Sequence, residues 1–172
     1  FDELTPGVYQ ITGRMGLWRN STPGEGVAFF MLSGIKDDLC LARLVGLSTF
    51  HNPGGTGNIK EKIRGFLQQN NTPVSAIDLV VHGKNGHHKT DSVYNEILSD
   101  LFKGKANIGF KELCGEYDTC PAFALWLSAV ILKSGSLPAY FSPSQPGIKT
   151  EKILIYNTSR FSDHSLFLLE KC

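Results

Sequence analysis

The chain has 172 residues, enough for one domain with a hydrophobic core. Its 17 basic and 16 acidic residues leave a net charge near +1, so we expect neither a nucleic-acid partner nor attraction to a membrane surface. No stretch approaches the eighteen or so apolar residues of a membrane helix, and no secretory leader opens the chain, so a cytoplasmic protein is expected.

The first predicted elements are short apolar strands followed by a helix. Residues 1–23, rich in Gly, Pro, Thr and Asn, predict an irregular lead-in. The apolar run 27–32 is typical of a strand buried on both faces, and 39–46 predicts a second strand. Asn58 is a favourable N-cap for a helix that we expect to continue to about Gln69.

The rest of the chain continues to alternate between strands and helices. Strands are predicted at 77–81, 106–110, 152–156 and 165–170, and further helices at 92–102 and about 121–133. Asp91 is expected to cap the first of these helices, and Pro121 suits the start of the second. The second helix is apolar on nearly every side, so we expect it to be central and buried. The alternation predicts an α/β fold, with helices on both faces of a mixed sheet.

Polar side chains follow three of the predicted strands. His82 comes directly after Val81, Lys111 opens the loop that holds Glu116, and Asn157 follows the strand near the C-terminus. Reactive residues collect at the carboxyl edge of an α/β sheet. We therefore expect the three loops to meet at one edge, with the side chains of His82 and Glu116 sharing a cleft.

The sequence around these loops resembles the β-ketoacyl synthase family. Five segments match in order and with similar spacing: Gly24–Val27, His82–Gly86 with Asp91, Lys111 with Gly115, the apolar helix followed by Gly135 and Pro138, and Asn157–Glu170. In the second segment the family has His-Gly-Thr-Gly-Thr followed by Asp. In the third segment it has a lysine ahead of a Gly-His pair. The resemblance runs from about residue 22 to the last residue.

This resemblance implies a thiolase-like fold built from two similar halves. The chain would be the second half, a five-stranded mixed sheet with helices on both faces. Residues 24–172 would form this ketosynthase C-terminal-half-like domain, and 24–33 would be the last strand of a first half that lies upstream of Phe1. The nucleophilic cysteine of the family belongs to the first half, so we expect this chain to lack it.

The resemblance also implies acyl transfer with Claisen-type condensation, in fatty-acid or polyketide biosynthesis, on an acyl carrier protein. No cofactor or metal is expected. The catalytic positions would be His82 as hydrogen-bond donor or base, Lys111 as orienting cation, and Glu116, which replaces the second histidine of the family. An ionised glutamate cannot donate a hydrogen bond to an enolate oxygen. Two alternatives therefore stay open: a non-catalytic homologue that pairs with an active subunit, and a non-covalent acyl-binding module.

Two other groups of residues suggest weaker hypotheses. Cys120, near a helix start, could be a nucleophile, although it matches a small-residue position of the family. His87 and His88 could bind a metal together with His82, but no further ligand close in sequence completes the set.

The cysteines and the missing half predict the setting and the assembly. Cys40, Cys114, Cys120 and Cys172 lack C-x-x-C spacing. We therefore expect reduced thiols in a cytosolic protein, although an even count permits pairing. A half-fold should expose apolar surface that its twin half or a partner covers, so we expect a homodimer or heterodimer.

Overall fold

The computed structural model of the protein describes residues 23–138, 140–141, 149–159 and 162–172. Its strands are β1 Arg43–His51, β2 Leu79–His82, β3 Ala106–Gly109, β4 Lys152–Ser159 and β5 Asp163–Glu170. They form one sheet in the order β1-β5-β4-β2-β3, in which β5 is antiparallel to both neighbours and the other pairings are parallel. The predicted five-stranded mixed sheet is confirmed. The expected lead-in lies outside the described residues except for Pro23.

Helices cover both faces of this sheet. They are α1 Thr56–Gln69, α2 His88–Asp100, the single turn α3 Lys111–Cys114, and α4 Cys120–Ser134, with a 3-10 turn at Val74–Ala76. Successive residues of the central strands point to opposite faces, so Val80 packs with α1 and α2 whereas Val81 packs with α4. Both residues are buried, as the short apolar strands predicted. Within the described ranges, no helix has the length and apolar character needed to cross a membrane.

The helix starts differ from the sequence-based prediction. α1 begins at Thr56, so Asn58 lies inside its first turn, and the Asn58 side-chain amide donates to the Pro53 carbonyl at 2.6 Å instead of capping the helix. α2 begins at His88, so Asp91 lies in its first turn rather than before it. The carboxylate of Asp91 is used by the preceding loop instead, as described below.

Strand β1 is also displaced from its predicted position. It begins at Arg43 rather than Leu39, because its partner β5 ends at Glu170, which lies opposite Arg43. Leu39 precedes the pairing and is 84% exposed. The apolar run 39–46 therefore indicated a strand in this region, but the residue at which the strand begins depends on where β5 ends.

Residues 24–40, which we call the arm, depart most from the predicted fold. The run 27–32 was expected to be a strand, yet it joins no strand in the described structure. Phe29 and Met31 are 91% and 98% exposed. A strand buried on both faces needs neighbouring strands and a covering layer on each side, and the described part of this chain supplies neither to the arm.

Both ends of the arm are anchored near the ends of α4. At the first end, the Gly24 N–H donates to the Glu116 carbonyl at 3.2 Å. At the other end, the Lys133 ammonium donates to the carbonyls of Asp38 and Cys40, both at 3.0 Å. The arm therefore spans from the start of α4 to its last turn, with apolar side chains exposed between the two anchors.

Helix α4 is buried on one side only. Ala124, Leu127 and Ile131 are buried against the sheet. Trp126, on another side of the helix, is 46% exposed and packs on Phe123 with ring centroids 5.4 Å apart. The prediction that this helix is central and buried is therefore wrong for its outer side, because the described chain has no second layer above it.

The cysteines also differ from expectation. Cys40, at the end of the arm, forms a disulfide with Cys172, and their Cα atoms are 6.4 Å apart. Cys114 and Cys120 are free. The expectation of wholly reduced cysteines is corrected, because the fold brings together two residues that are 132 positions apart in sequence.

Candidate functional site

The three polar loops converge around Gly83, at the carboxyl ends of β2 and β4. A Cβ atom added at Gly83 would collide with Asn157 Oδ1 and lie 2.8 Å from the Tyr94 hydroxyl and 3.1 Å from Lys111 Cε. β2 pairs in parallel with both β3 and β4, so the loops that follow these strands emerge at the same edge. The predicted convergence of the loops is confirmed, and they pack so closely that position 83 has room only for glycine.

Lys111 and Glu116 form a buried ion pair within this cluster. Lys111 Nζ donates to Glu116 Oε2 at 2.7 Å, and the two side chains are 1% and 3% exposed. Asn85 Nδ2 donates to the same oxygen at 2.7 Å. The Cys120 thiol lies 3.8 Å from Glu116 Oε1, close enough for a weak hydrogen bond. An acceptor with three donors around it has the surroundings of an ionised carboxylate.

His82, the last residue of β2, is buried beside this pair. Burial and, to a smaller extent, the positive charge of Lys84 lower its pKa to about 4, although a hydrogen bond between the ring and the Asn107 side chain opposes the shift. The ring is therefore neutral at neutral pH. The backbone N–H of Lys84 lies 3.5 Å from Nδ1, which favours the tautomer with its proton on Nε2. In that state His82 can donate one hydrogen bond.

The cluster is closed to solvent in this structure. His82, Lys111 and Glu116 are 4%, 4% and 7% exposed. We expected the side chains of His82 and Glu116 to line a shared cleft, and the burial of both corrects that expectation. The loop of His82 and the side chain of Glu116 are nevertheless joined directly, through Asn85.

Asp91 and Tyr94 hold the His82 loop in place. The Asp91 carboxylate accepts from the backbone N–H groups of Asn85 and Gly86, both at 3.1 Å. The Tyr94 hydroxyl accepts from the backbone N–H of Thr158 at 2.7 Å, which ties α2 to the end of β4. Sequence reasoning assigned Asp91 a helix-capping role and missed the supporting role of Tyr94. The only signal in the sequence for this role is that Tyr94 lies close to the His82 motif.

Two glycines from separate motif segments touch each other beside Glu116. Gly115 has φ +73°, and a Cβ atom there would lie 2.7 Å from the Gly24 nitrogen. A Cβ atom on Gly24 would collide with the Cys114 carbonyl oxygen. The backbones approach so closely that neither position tolerates a side chain. The start of the arm is thus fixed against the loop that carries Glu116.

Two hypotheses from the sequence find no support here. Burial raises the pKa of Cys120 to about 11, so the thiol is protonated and is a poor nucleophile at neutral pH. Among the residues that the structure describes, no group of three or more His, Cys, Asp or Glu side chains could hold a metal ion. His87 and His88 therefore do not form the proposed metal site with His82.

Comparison with known proteins identifies the fold. No protein-family model matches the chain, and no curated protein does. The ishigamide ketosynthase/chain length factor matches with a TM-score of 0.64 and 11% identity, over 77% of this chain and 38% of that chain. A β-ketoacyl synthase from Burkholderia phymatum STM815 matches with a TM-score of 0.61 and 13% identity, over 77% and 38%.

A third match is the type II polyketide synthase complex AntDE:AntF, an acyl-carrier protein in complex with its ketosynthase bound to the hexaketide. Its TM-score is 0.61 at 10% identity, over 77% of this chain and 39% of that chain. The chain thus spans about two fifths of the length of these structures. It has the thiolase-like fold of a ketosynthase half, as the motif resemblance implied.

Proposed function

We propose that the chain is a portion of a β-ketoacyl synthase-like protein of fatty-acid or polyketide biosynthesis. The observation that carries this proposal is the convergence of His82, Lys111 and Glu116 at the carboxyl edge of a ketosynthase-type sheet. These positions match the family's motifs in order. In the whole protein, residues 24–172 form the C-terminal half and 24–33 pair as the last strand of the first half. The first half supplies the nucleophilic cysteine, and the protein works in the cytoplasm.

The reaction class is acyl transfer followed by Claisen-type condensation. The cysteine of the first half takes an acyl group, a malonyl group loses CO₂, and the resulting enolate attacks the thioester. Neutral His82, with its proton on Nε2, suits donation to the developing enolate oxygen. Lys111 carries the positive charge of the site, but Glu116 already neutralises it at 2.7 Å.

A second candidate is a homologue that does not condense malonyl groups itself and pairs with a subunit that does. The observation that favours it is the environment of Glu116, whose Oε2 accepts from both Lys111 and Asn85. A carboxylate in this state cannot donate to an enolate oxygen, and its charge repels the carboxylate of malonate. The name of the matched ishigamide protein includes a chain length factor.

The proposed partners are an acyl carrier protein and a second ketosynthase-type subunit, in a homodimer or heterodimer. AntDE:AntF is a ketosynthase of this fold in complex with its acyl-carrier protein, which supports the first partner. The exposed arm and the outer side of α4 support the second, because both present apolar side chains that another chain would cover.

The test compares malonyl decarboxylation by the full-length protein, with its first half, and by the variants Glu116→His and Glu112→His. Glu112 is an exposed glutamate of α3 and serves as the matched control. For a condensing enzyme we expect Glu116→His to raise the rate of decarboxylation of malonyl-carrier protein by about 10²-fold, which is the effect of one hydrogen-bond donor to an oxyanion. The rate of Glu112→His should be unchanged. For a non-condensing partner, neither variant decarboxylates, but each still binds the carrier protein. No decarboxylation and no carrier-protein binding by any of the three would contradict the proposal.

A further inference from the structure

The Cys40–Cys172 disulfide joins the arm to the end of the chain. Cys40 is the last residue of the arm, and Cys172 follows β5 directly after Lys171, whose N–H donates to the Glu151 carbonyl at 2.8 Å. Both cysteines are partly exposed, so small thiols and disulfides can reach them. Cys114 and Cys120 are not bonded, and burial raises the pKa of each thiol.

The arm has few other attachments at this end. Among the described residues, its backbone–backbone hydrogen bonds are those of the Gly24 N–H to Glu116 and of the Cys40 N–H to Asp37, the latter within the arm itself. Near its first end the Gly26 carbonyl also accepts from the Thr119 hydroxyl at 3.4 Å, and at the far end the Lys133 ammonium donates to the carbonyls of Asp38 and Cys40. The disulfide is therefore the one side-chain covalent link at this end of the arm, in addition to the peptide chain that continues into β1 at Arg43.

We propose that the Cys40–Cys172 disulfide is a redox latch that fixes the arm along α4. A cytosolic disulfide between accessible cysteines is usually transient or redox-sensing rather than permanent. This significance in the cell rests on the cytoplasmic setting of the proposed function, whereas the latch itself rests only on the geometry. With the bond closed, both ends of the arm are held. Opening the bond removes the tie to the end of the chain and leaves the far end held by Lys133 and by the entry of the chain into β1 at Arg43.

The chemistry is thiol–disulfide exchange with a low-molecular-weight disulfide such as oxidised glutathione. One cysteine thiolate attacks a sulfur of the external disulfide, which releases one external thiol and forms a mixed disulfide. The other cysteine thiolate then attacks the protein sulfur of that mixed disulfide and releases the second external thiol. The two protein thiols lose two electrons and two protons, and the external disulfide gains both. A dithiol reverses the reaction.

A closed latch prepares the arm for a partner. The arm exposes four apolar side chains in succession, and in the proposed function this segment adds as a strand to the sheet of the first half. Holding both ends of the segment before binding removes part of the entropy that ordering would cost. Oxidation should therefore favour association through the arm, and reduction should weaken it.

The experiment uses the full 172-residue chain, equilibrated with either oxidised glutathione or dithiothreitol. Mass spectrometry after alkylation should find Cys40 and Cys172 joined in the oxidised sample and both alkylated in the reduced sample. Limited chymotrypsin digestion then reports on the arm, by cleavage at Phe29 and Phe30. We expect reduction to speed this cleavage on the order of tenfold and to leave other cleavage sites unchanged.

Single variants keep the proposal testable without added reductant. In oxidising buffer, Cys40→Ser and Cys172→Ser should each reproduce the fast cleavage of the reduced protein. Cys114→Ser, which removes a free and partly buried cysteine, should behave as the wild type. Alkylation of Cys40 and Cys172 in the oxidised sample would overturn the proposal, as would equal cleavage rates in the oxidised and reduced proteins. These measurements involve no condensation chemistry, so they can succeed or fail independently of the proposed function.

Discussion

The helices on the two faces of the sheet differ in the side chains that they expose to solvent. On the first face, α1 and α2 bury apolar side chains against the sheet and present polar side chains to solvent. Lys60 of α1 donates to Glu96 and Asp100 of α2, both at 2.8 Å. On the second face, the single long helix α4 has Lys133 as its only charged residue and leaves Trp126 46% exposed. This side of the sheet also carries the buried Lys111–Glu116 pair.

This difference indicates which face of the sheet has an outer surface suited to contact with water. An amphipathic helix pair with ion pairs on its outer side is complete without a further layer. A helix that is apolar on nearly every side needs cover on both sides, and the arm beside it exposes Phe29 and Met31 as well. The second face therefore exposes apolar surface of the kind that another layer or another chain covers.

The largest effect should come from the buried charges of the second face. Lys111→Met leaves Glu116 buried without its counter-ion, so we expect a loss of about 3–5 kcal/mol in the free energy of unfolding. Urea denaturation at neutral pH measures it. The double variant Lys111→Met/Glu116→Gln should recover part of the loss because no unpaired charge remains. A Lys111→Met protein as stable as the wild type would show that the pair is not buried as described.

Acid should weaken the first face next. His82 follows Val80 of β2 by two residues, and His164 precedes Leu166 of β5 by two, so both rings lie on the first face of the sheet. Burial lowers the pKa of each ring to about 4. The unfolded chain, with histidine pKa values near 6.5, binds more protons in this range. Stability should therefore fall as the pH drops from about 6.5 to about 4, by up to about 3 kcal/mol per histidine.

Matched histidine variants check this pH dependence. His164→Gln removes one of the two buried rings, whereas His88→Gln removes an exposed ring at the start of α2. Urea denaturation at pH 7 and pH 4.5 should show a smaller loss for His164→Gln than for the wild type and an unchanged loss for His88→Gln. The same loss in all three proteins would assign the pH dependence to other groups.

The smallest effect should come from the exposed ion pairs of the first face. Lys60→Met breaks both contacts between α1 and α2, but the carboxylates of Glu96 and Asp100 are more than half exposed and stay solvated. We expect a change in melting temperature close to the limit of detection, in contrast with Lys111→Met. A melting temperature that falls as far as in Lys111→Met would remove the distinction drawn between the two faces.

The sequence predicted best the features that depend on local pattern. The amphipathic repeat of α1 and the polar strand end at His82 were both located correctly. The run 27–32 has the pattern of a buried strand, but no local pattern reveals whether neighbouring strands are present, so the strand was predicted and is not formed. The apolar α4 was placed correctly, whereas its exposed side depends on a layer that the described chain lacks.

Long-range contacts account for what the sequence could not predict in the site. The bond from Asn85 to Glu116 joins residues 31 apart, and the Cys40–Cys172 disulfide joins residues 132 apart. The crowding around Gly83 arises only when two parallel strands bring Asn157 beside it. The resemblance aligned the positions of His82, Lys111 and Glu116. It could not show that they are buried together.

The most direct test of the central claim, that the α4 face is an uncovered interface, is sedimentation velocity of the oxidised chain over a range of concentrations. We expect the wild type to associate as its concentration rises. Trp126→Lys should shift the protein toward monomer, because it places a charge on the outer side of α4. Gln68→Lys, a matched change on the exposed side of α1, should leave association unchanged. A wild type that stays monomeric at every concentration, and sediments as Trp126→Lys does, would contradict the claim.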